Sequence, residues 1–255
     1  MLRTAAEIYR ATRKKHDLVF NVYLMRPVAA VVVGVVARTP LTPNQITIAN
    51  LAIFLVAIAL FVALPDTRGG WIAAGVLELS YCLDCVDGML ARHRKIASKE
   101  GHLFDFFTDE IKAVLLASAL PIRFWRAGAL GLDAREWPAG DARFLLAGIA
   151  GAVVLASATS LTNFVRRPEI SGKASTVEAH YETVEPERPR SLAGRIGALV
   201  TTFLRFLNHY PSHIWIFALA GRLDVFLWVY VAINFLYLGR GWLGILVRFG
   251  RPRRG

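Results

Sequence analysis

Long apolar runs constrain this chain more than any other feature of its sequence. The cleanest run, from Ile46 to Leu64, contains no charged residue. A helix needs about 20 predominantly apolar residues to cross a hydrocarbon core of about 30 Å. Hydrophobic residues make up 55% of the chain and the mean hydropathy is +0.44, which is more apolar than most soluble domains of this length. The sequence therefore predicts an all-α, polytopic integral membrane protein.

Six segments are predicted to span the membrane, at about 45–64, 71–92, 103–123, 143–165, 206–222 and 224–247. A shorter apolar segment, 27–38, cannot cross a bilayer and is predicted to be an N-terminal interfacial helix. Pro40 and Pro43 then separate it from the first span. We expect a cytoplasmic or interfacial lead (1–44), a six-helix membrane domain (45–247) and a basic cytoplasmic tail (248–255).

Basic residues give the chain a formal net charge of +11. They gather at alternate ends of the predicted spans, in residues 3–38, 92–99, 166–195 and 248–254. The positive-inside rule predicts this alternation for cytoplasmic segments. We therefore expect both termini and the polar loop at 166–195 on the cytoplasmic side of the cell (inner or plasma) membrane. Nucleic acid is not an expected partner, because no basic patch is interleaved with exposed aromatic residues.

Four aspartates lie at the ends of two neighbouring spans. Asp84 and Asp87 are three residues apart near the end of the second span, and Asp105 and Asp109 are four apart near the start of the third. Residues at these spacings share one face of a helix. The basic segment between the pairs contains Gly101, which suits a tight turn. Two antiparallel helices joined there would bring the four carboxylates together at the membrane edge.

Four neighbouring carboxylates repel one another strongly unless they are protonated, paired or holding cations. Ligand sets made only of oxygen select hard ions such as Mg²⁺ or Mn²⁺, and two such ions would roughly neutralise the cluster. Divalent ions between carboxylates commonly handle phosphates. Gly88 would let a ligand approach the backbone, and Arg92 offers a fork for phosphate. The alternative is that the aspartates form salt bridges, for example with Arg92 or Lys112, and serve only packing.

The same stretch resembles the signature of the CDP-alcohol phosphotransferase (class I) family. The pattern D-x-x-D-G-x-x-A-R, eight residues, G-x-x-x-D-x-x-x-D is matched here by Asp84, Asp87, Gly88, Ala91, Arg92, Gly101, Asp105 and Asp109. The stretch LTPNQIT, at 41–47, is similar to the family's P-N-x-x-T element at the start of the first span. The family also has six spans. The resemblance implies an enzyme that moves a phosphatidyl or phospho-alcohol group from a CDP-linked donor to a hydroxyl and releases CMP.

The resemblance also implies roles for individual residues. The metal ligands would be Asp84, Asp87, Asp105 and Asp109, holding two Mg²⁺ or Mn²⁺ ions, and Asp109 would also be the general base. The nucleotide portion of the donor would be bound by Asn44, Thr47, Asp84, Gly88, Ala91, Arg92 and Ser98. For Asn44, a helix N-terminal cap after Pro43 is the structural alternative.

The acceptor side is less constrained. Lys112 lies three residues after Asp109, where it could meet an anionic acceptor or pair with an aspartate. Arg166 and Arg167 loosely resemble a basic element with which some relatives hold an acceptor phosphate. They are also well placed to be positive-inside anchors that snorkel to the interface.

Several functional hypotheses follow. The donor would be CDP-diacylglycerol with a small polar alcohol as acceptor, which we favour, or a CDP-linked small alcohol with a lipid or inositol-phosphate acceptor. The resemblance further implies a homodimer in phospholipid biosynthesis. An aspartate-rich membrane prenyltransferase would need a second, distant aspartate cluster, which the sequence lacks. A cation transporter would place acidic residues along a path through the bilayer, and we expect none at mid-span.

Overall fold

The computed structural model describes residues 2–13, 17–171 and 192–250. In chain order, its first elements are α1 (Leu2–Thr12), a π-helical turn (Asn21–Met25), α2 (Arg26–Val36), α3 (Pro43–Ala63), α4 (Thr67–His93) and α5 (Lys99–Ala127). They are followed by β1 (Ala129–Leu130), β2 (Glu136–Trp137), α6 (Ala142–Arg166), α7 (Pro168–Ser171), α8 (Leu192–Asn208), a 3-10 turn (Tyr210–Ser212), α9 (Ile214–Leu219) and α10 (Leu223–Phe249). The described part is thus all-α, as predicted, with one short two-stranded hairpin that was not predicted.

Four described helices are long and apolar enough to cross a membrane: Pro43–Ala63, Thr67–His93, Ala142–Val165 and Leu223–Phe249. Their bounds agree to within a few residues with the predicted first, second, fourth and sixth spans. The predicted third span lies within α5, a continuous helix of 29 residues that is not one of these four. The count of six spans therefore stays a prediction.

The predicted fifth span is wrong as a single helix over 206–222. Helix α8 ends at Asn208, a 3-10 turn covers Tyr210–Ser212, and α9 begins only at Ile214. Pro211 explains the break, since proline has no amide hydrogen to donate within a helix. The predicted loop at 166–195 begins with α7, and most of it (172–191) lies outside the described residues, as does most of the predicted tail (251–255).

The described chain divides into two compact units, Met1–Lys112 with Pro211–Leu223, and Ala113–Tyr210 with Asp224–Gly255. The core of the first unit is a cluster of buried apolar side chains from the N-terminal helices, α3 and α4, among them Ile8, Met25, Ala29, Val33, Ile46, Val86, Met89 and Leu90. Cys82 and Cys85 belong to this cluster as free, buried thiols. The sequence predicts this role, because two cysteines three apart on one helix are poorly placed for a disulfide.

The end of α4 is joined to the end of α2 by one side chain. The guanidinium of Arg94 donates hydrogen bonds to four backbone carbonyls, those of Val36, Ala37, Thr39 and Leu41, at 2.6–3.2 Å. Carbonyls at a helix C-terminus lack partners within the helix and carry partial negative charge. Arg94 therefore caps α2 and fixes the connection that leads into α3.

The segment between α1 and α2 contains a polar network that reaches α4. Tyr81 donates its hydroxyl to Oδ1 of Asn21 at 2.5 Å, and Nδ2 of Asn21 donates to Oδ1 of Asp17 at 2.8 Å. Nε of Arg26 donates to Oδ2 of the same carboxylate. Burial raises the pKa of Asp17, but the hydrogen bond from Asn21 and the charge of Arg26 outweigh it and hold that pKa below its ordinary value.

The second unit contains the short hairpin after α5. Strands β1 and β2 are antiparallel, with Ala129 opposite Trp137. The amide of Leu130 donates to Oδ2 of Asp224 at 3.2 Å, and its carbonyl accepts from Nε1 of Trp228 at 2.9 Å. These bonds attach the hairpin to the first turns of α10.

Candidate metal and nucleotide site

Helix α3 begins with a capping box. The hydroxyl of Thr42 accepts from the amide of Gln45, and the Gln45 side chain accepts from the amide of Thr42. Pro43 occupies the first helical position, where its missing amide hydrogen costs nothing. The N-terminal cap is therefore Thr42. The alternative that Asn44 is the cap is wrong, and Asn44 lies exposed in the first turn.

A row of polar side chains runs along the buried face of α3 towards α4. Thr47 donates its hydroxyl to Oδ2 of Asp87 at 2.6 Å, and Asn50 donates Nδ2 to Oδ1 of Asp84 at 2.8 Å. The hydroxyl of Ser80, one turn before Asp84, donates to Oδ1 of Asn50 at 2.5 Å. All of Thr47, Asn50 and Ser80 are at most 3% exposed. The first predicted span thus orients two of the four aspartates.

Helices α4 and α5 bring three carboxylates together. One oxygen from each of Asp84, Asp105 and Asp109 lies within 4.8 Å of the other two. The spacing predicted such a cluster, but with four members. Asp87 is not part of this group; it is 3% exposed and its Oδ2 accepts the hydrogen bond from Thr47.

Lys112 lies against the cluster on the next turn of α5. Its Nζ donates to Oδ1 of Asp84 and to Oδ1 of Asp109, each at 2.8 Å, and its side chain is 3% exposed. The structure therefore shows the aspartate pairing that the sequence left as one of two alternatives. A role for Lys112 in binding the acceptor stays a prediction.

Hydrogen bonds hold one oxygen of each of three carboxylates in place. Oδ1 of Asp84, Oδ1 of Asp109 and Oδ2 of Asp87 each accept from a side-chain donor of the protein. A compact set of carboxylate oxygens is the donor chemistry that Mg²⁺ and Mn²⁺ prefer, so these residues fit a hard divalent cation.

Several residues predicted to bind nucleotide also lie together. A Cβ atom on Gly101 would lie 3.2 Å from Oγ of Ser98 and 3.4 Å from Oδ1 of Asn44, so both side chains lie beside Gly101. A Cβ on Gly88 would lie 3.4 Å from Nη1 of Arg92. Ser98 accepts a hydrogen bond of 3.0 Å from the amide of Gly101, as a helix N-terminal cap does.

The predicted turn at Gly101 is wrong. Gly101 lies in the first turn of α5, and the chain reverses instead at Lys95, whose φ is +58°. The amide of Lys95 donates to the carbonyl of Arg92, and that of Ile96 donates to the carbonyl of Ala91. This pair of bonds is a Schellman motif, in which glycine commonly takes the left-handed position.

Arg92 also contacts the N-terminal helix. Its Nε donates to the carbonyl of Thr12, the last residue of α1, at 3.1 Å. Arg166 is the last residue of α6, in the second unit, and Arg167 follows it. The Arg167 side chain is exposed, and that of Arg166 lies outside the described residues. Their predicted contact with an acceptor stays a prediction.

Some residues of this site were missed in the sequence. Asn50 follows Thr47 by three residues and Ser80 precedes Asp84 by four, so each shares a helix face with a residue that was identified. Glu78 was also missed, and the expectation of no acidic residue at mid-span is wrong there. Glu78 lies in the middle of α4, and among the described residues neither of its carboxylate oxygens has a hydrogen-bond partner.

Comparison with known proteins agrees with this geometry. The model of the CDP-alcohol phosphatidyltransferase family matches residues 40–181, which is more than half of the chain and includes every residue of the aspartate cluster. No curated protein matches the sequence. The chain belongs to the CDP-alcohol phosphatidyltransferase family, integral membrane enzymes of phospholipid biosynthesis that use a divalent metal to transfer a phosphate-linked alcohol group from a CDP-alcohol to an alcohol acceptor.

Proposed function

We propose that this protein transfers a phosphatidyl group from CDP-diacylglycerol to the hydroxyl of a small polar alcohol, releasing CMP at the cytoplasmic face of the membrane. One observation carries the proposal: Asp84, Asp105 and Asp109 present oxygens within 4.8 Å of one another at facing ends of two helices. Three carboxylates this close together suit the binding of metal ions that in turn bind a pyrophosphate. The basic residues at the end of α4 and the start of α5 support the cytoplasmic placement.

We expect Asp109 to act as the general base, and its exposure supports this role. Its side chain is 49% exposed whereas that of Asp84 is 17% exposed, so a diffusing hydroxyl reaches Asp109 more easily. Lys112 donates to Oδ1 of Asp109, so Oδ2 would be the oxygen that accepts the proton. As the acceptor oxygen forms its bond to the β-phosphorus of the donor, its proton passes to Asp109 and the bond between that phosphorus and the CMP oxygen breaks.

The remaining residues would hold the donor. Asp84, Asp87, Asp105 and Asp109 would bind two Mg²⁺ or Mn²⁺ ions, which would neutralise charge on the pyrophosphate as CMP leaves. Gly88, Ala91 and Arg92 on α4, with Asn44, Thr47 and Ser98, would line the nucleotide. Thr47 would act there through Asp87, which accepts its hydroxyl hydrogen bond.

The test uses the purified full chain in lipid nanodiscs with labelled CDP-diacylglycerol. Serine, glycerol phosphate, inositol and inositol phosphate are offered separately, with Mg²⁺, with Mn²⁺ or with EDTA, and CMP and the lipid product are scored. We expect CMP release that depends on the cation and on one acceptor. Activity only with a CDP-linked small alcohol and diacylglycerol would reverse the roles of donor and acceptor, and no CMP from any CDP-linked donor would overturn the proposal.

Two variants test the base. Asp109→Asn should abolish turnover while the protein stays folded and still binds CDP, because the amide cannot take the proton. Glu136→Gln makes the same chemical change at an exposed position of β2 and should leave turnover unchanged. Retained activity in Asp109→Asn would remove this assignment.

We also propose that the protein is a homodimer, which the mass of the purified protein in solution tests.

A further inference from the structure

We propose that Lys112 is a positioning residue that acts as a built-in cation, assembling the aspartate cluster before any metal binds and lowering the affinity of the site for the metal. This inference rests on the proposed metal site but concerns a residue outside the family signature. It predicts that the site remains formed without metal and that removal of one positive charge makes the metal bind more tightly.

The contacts of Lys112 are those of a bridging cation. Its Nζ lies 2.8 Å from Oδ1 of Asp84 on α4 and 2.8 Å from Oδ1 of Asp109 on α5. The ammonium therefore links the two helices that make the site. At 3% exposure the side chain is fully enclosed, and it has no room to leave for solvent without disturbing its neighbours.

Asn50 makes the arrangement specific. Its Nδ2 donates to the same Oδ1 of Asp84 that Lys112 contacts. Two donors on one oxygen hold the Asp84 carboxylate in one orientation. The ammonium and the amide thus order the cluster before any metal binds.

Charge decides the direction of the effect on affinity. When ionised, Asp84, Asp105 and Asp109 place three negative charges within a few ångströms of one another, and the ammonium of Lys112 offsets one of them. A neutral residue at 112 would leave all three uncompensated. Repulsion among them would destabilise the metal-free protein, and their fuller charge would attract the metal more strongly.

The experiment compares wild type, Lys112→Met, Lys112→Arg and Lys99→Met as full-length proteins in nanodiscs of zwitterionic lipid. Mn²⁺ binding is read from the electron paramagnetic resonance signal of free Mn²⁺, and thermal unfolding is followed in EDTA and in saturating Mn²⁺. Lys99→Met is the matched control, because it removes an exposed lysine from the start of the same helix.

We expect wild type to stay folded in EDTA. Lys112→Met should unfold about 5–10 °C lower than wild type in EDTA, recover most of that difference in Mn²⁺, and bind Mn²⁺ about tenfold or more tightly. Lys112→Arg and Lys99→Met should bind Mn²⁺ within about threefold of wild type, because both leave the charge at 112 unchanged.

Three outcomes would overturn the inference. The first is equal or weaker Mn²⁺ binding by Lys112→Met. The second is a loss of stability that Mn²⁺ does not repair, including failure to fold in its presence, which would make Lys112 a packing residue only. The third is unfolding of wild type in EDTA. These measurements contain no substrate, so they do not depend on the transfer reaction. If the expected Mn²⁺ binding were found and no CMP were released in the activity assay, the proposed reaction would be overturned and the role of Lys112 would stand.

Discussion

Asn50 donates a hydrogen bond of 2.8 Å to Asp84, from a position in α3 that is completely buried. Ser80 in turn donates to Oδ1 of Asn50, so the amide cannot rotate without losing two bonds. A residue of the first span thereby sets the orientation of a carboxylate on the second. Partners of this kind orient metal ligands and contribute to metal affinity without touching the metal.

We expect Asn50→Ala to lower metal affinity or transfer activity by about 10–100-fold, since Asp84 loses the donor that orients it. Mn²⁺ titration and CMP release measure the two effects. Asn234→Ala is the control, because within the described ranges Asn234 bonds to the carbonyl of Tyr230 in its own helix and not to the site. Equal effects of the two substitutions would contradict a specific role for Asn50.

Thr47→Val should reduce activity by about tenfold, because valine keeps the shape of threonine but cannot donate the 2.6 Å hydrogen bond to Asp87. Thr47→Ser keeps the hydroxyl and should retain most of the activity. CMP release at saturating Mg²⁺ distinguishes them. If serine and valine gave the same rate, the hydroxyl would have no part in holding Asp87.

Arg94→Ala should lower the free energy of unfolding by about 1–2 kcal/mol, since four carbonyls at the end of α2 and the following connection lose their charged donor. Arg94→Lys should recover only part of this, because an ammonium lacks the planar fork. Thermal unfolding in nanodiscs gives the comparison, with Arg38→Ala, a change at an exposed arginine of the same connection, as control. A loss no larger than that of Arg38→Ala would mean that the cap contributes little.

Lys95→Gly should stabilise the protein by roughly 0.5–1 kcal/mol, because glycine adopts positive φ without the steric cost that a Cβ imposes. Lys95→Ala separates the backbone effect from the loss of charge, since alanine keeps the Cβ. Thermal unfolding should therefore rank glycine above both alanine and lysine. Equal stability of the glycine and alanine variants would show that the turn carries no strain.

Stability should also respond to acid through Asp17. Its pKa in the folded protein lies below the ordinary value of 3.8, so its contribution is fully present above that pH and is lost as the pH falls through the folded pKa. Unfolding of wild type and Asp17→Asn should differ at neutral pH and converge below about pH 4. Glu7→Gln, a change at an exposed carboxylate of α1, should follow wild type throughout. A difference that persists unchanged into acid would exclude the charge of Asp17 as its source.

Much of the fold was predictable because membrane helices are dictated by composition. The apolar runs located α3, α4, α6 and α10 to within a few residues, with no need to know what they pack against. The error at 206–222 arose because the hydropathy of that segment was given more weight than Pro211. The turn at Lys95 could not be found from residue type, since lysine is rarely the residue at positive φ.

The candidate site was predictable to the extent that helical spacing alone determines neighbours. The pairs Asp84 with Asp87 and Asp105 with Asp109 follow from three- and four-residue separations. The link from Lys112 to Asp84 does not, because it depends on the rotation of α5 relative to α4. The hydrogen bonds from α3 to these aspartates depend in the same way on the rotation of α3 relative to α4. The packing of the two helices determines that rotation, and neither helix does so alone.

The hydrogen bond from Arg92 to the carbonyl of Thr12 has a consequence for protein engineering. The last residue of α1 holds the side chain that we propose to meet the nucleotide, so the N-terminal helix helps to position Arg92. Chimeras that exchange α1 for the corresponding helix of a relative would change the affinity for the CDP group, even with every signature aspartate left in place.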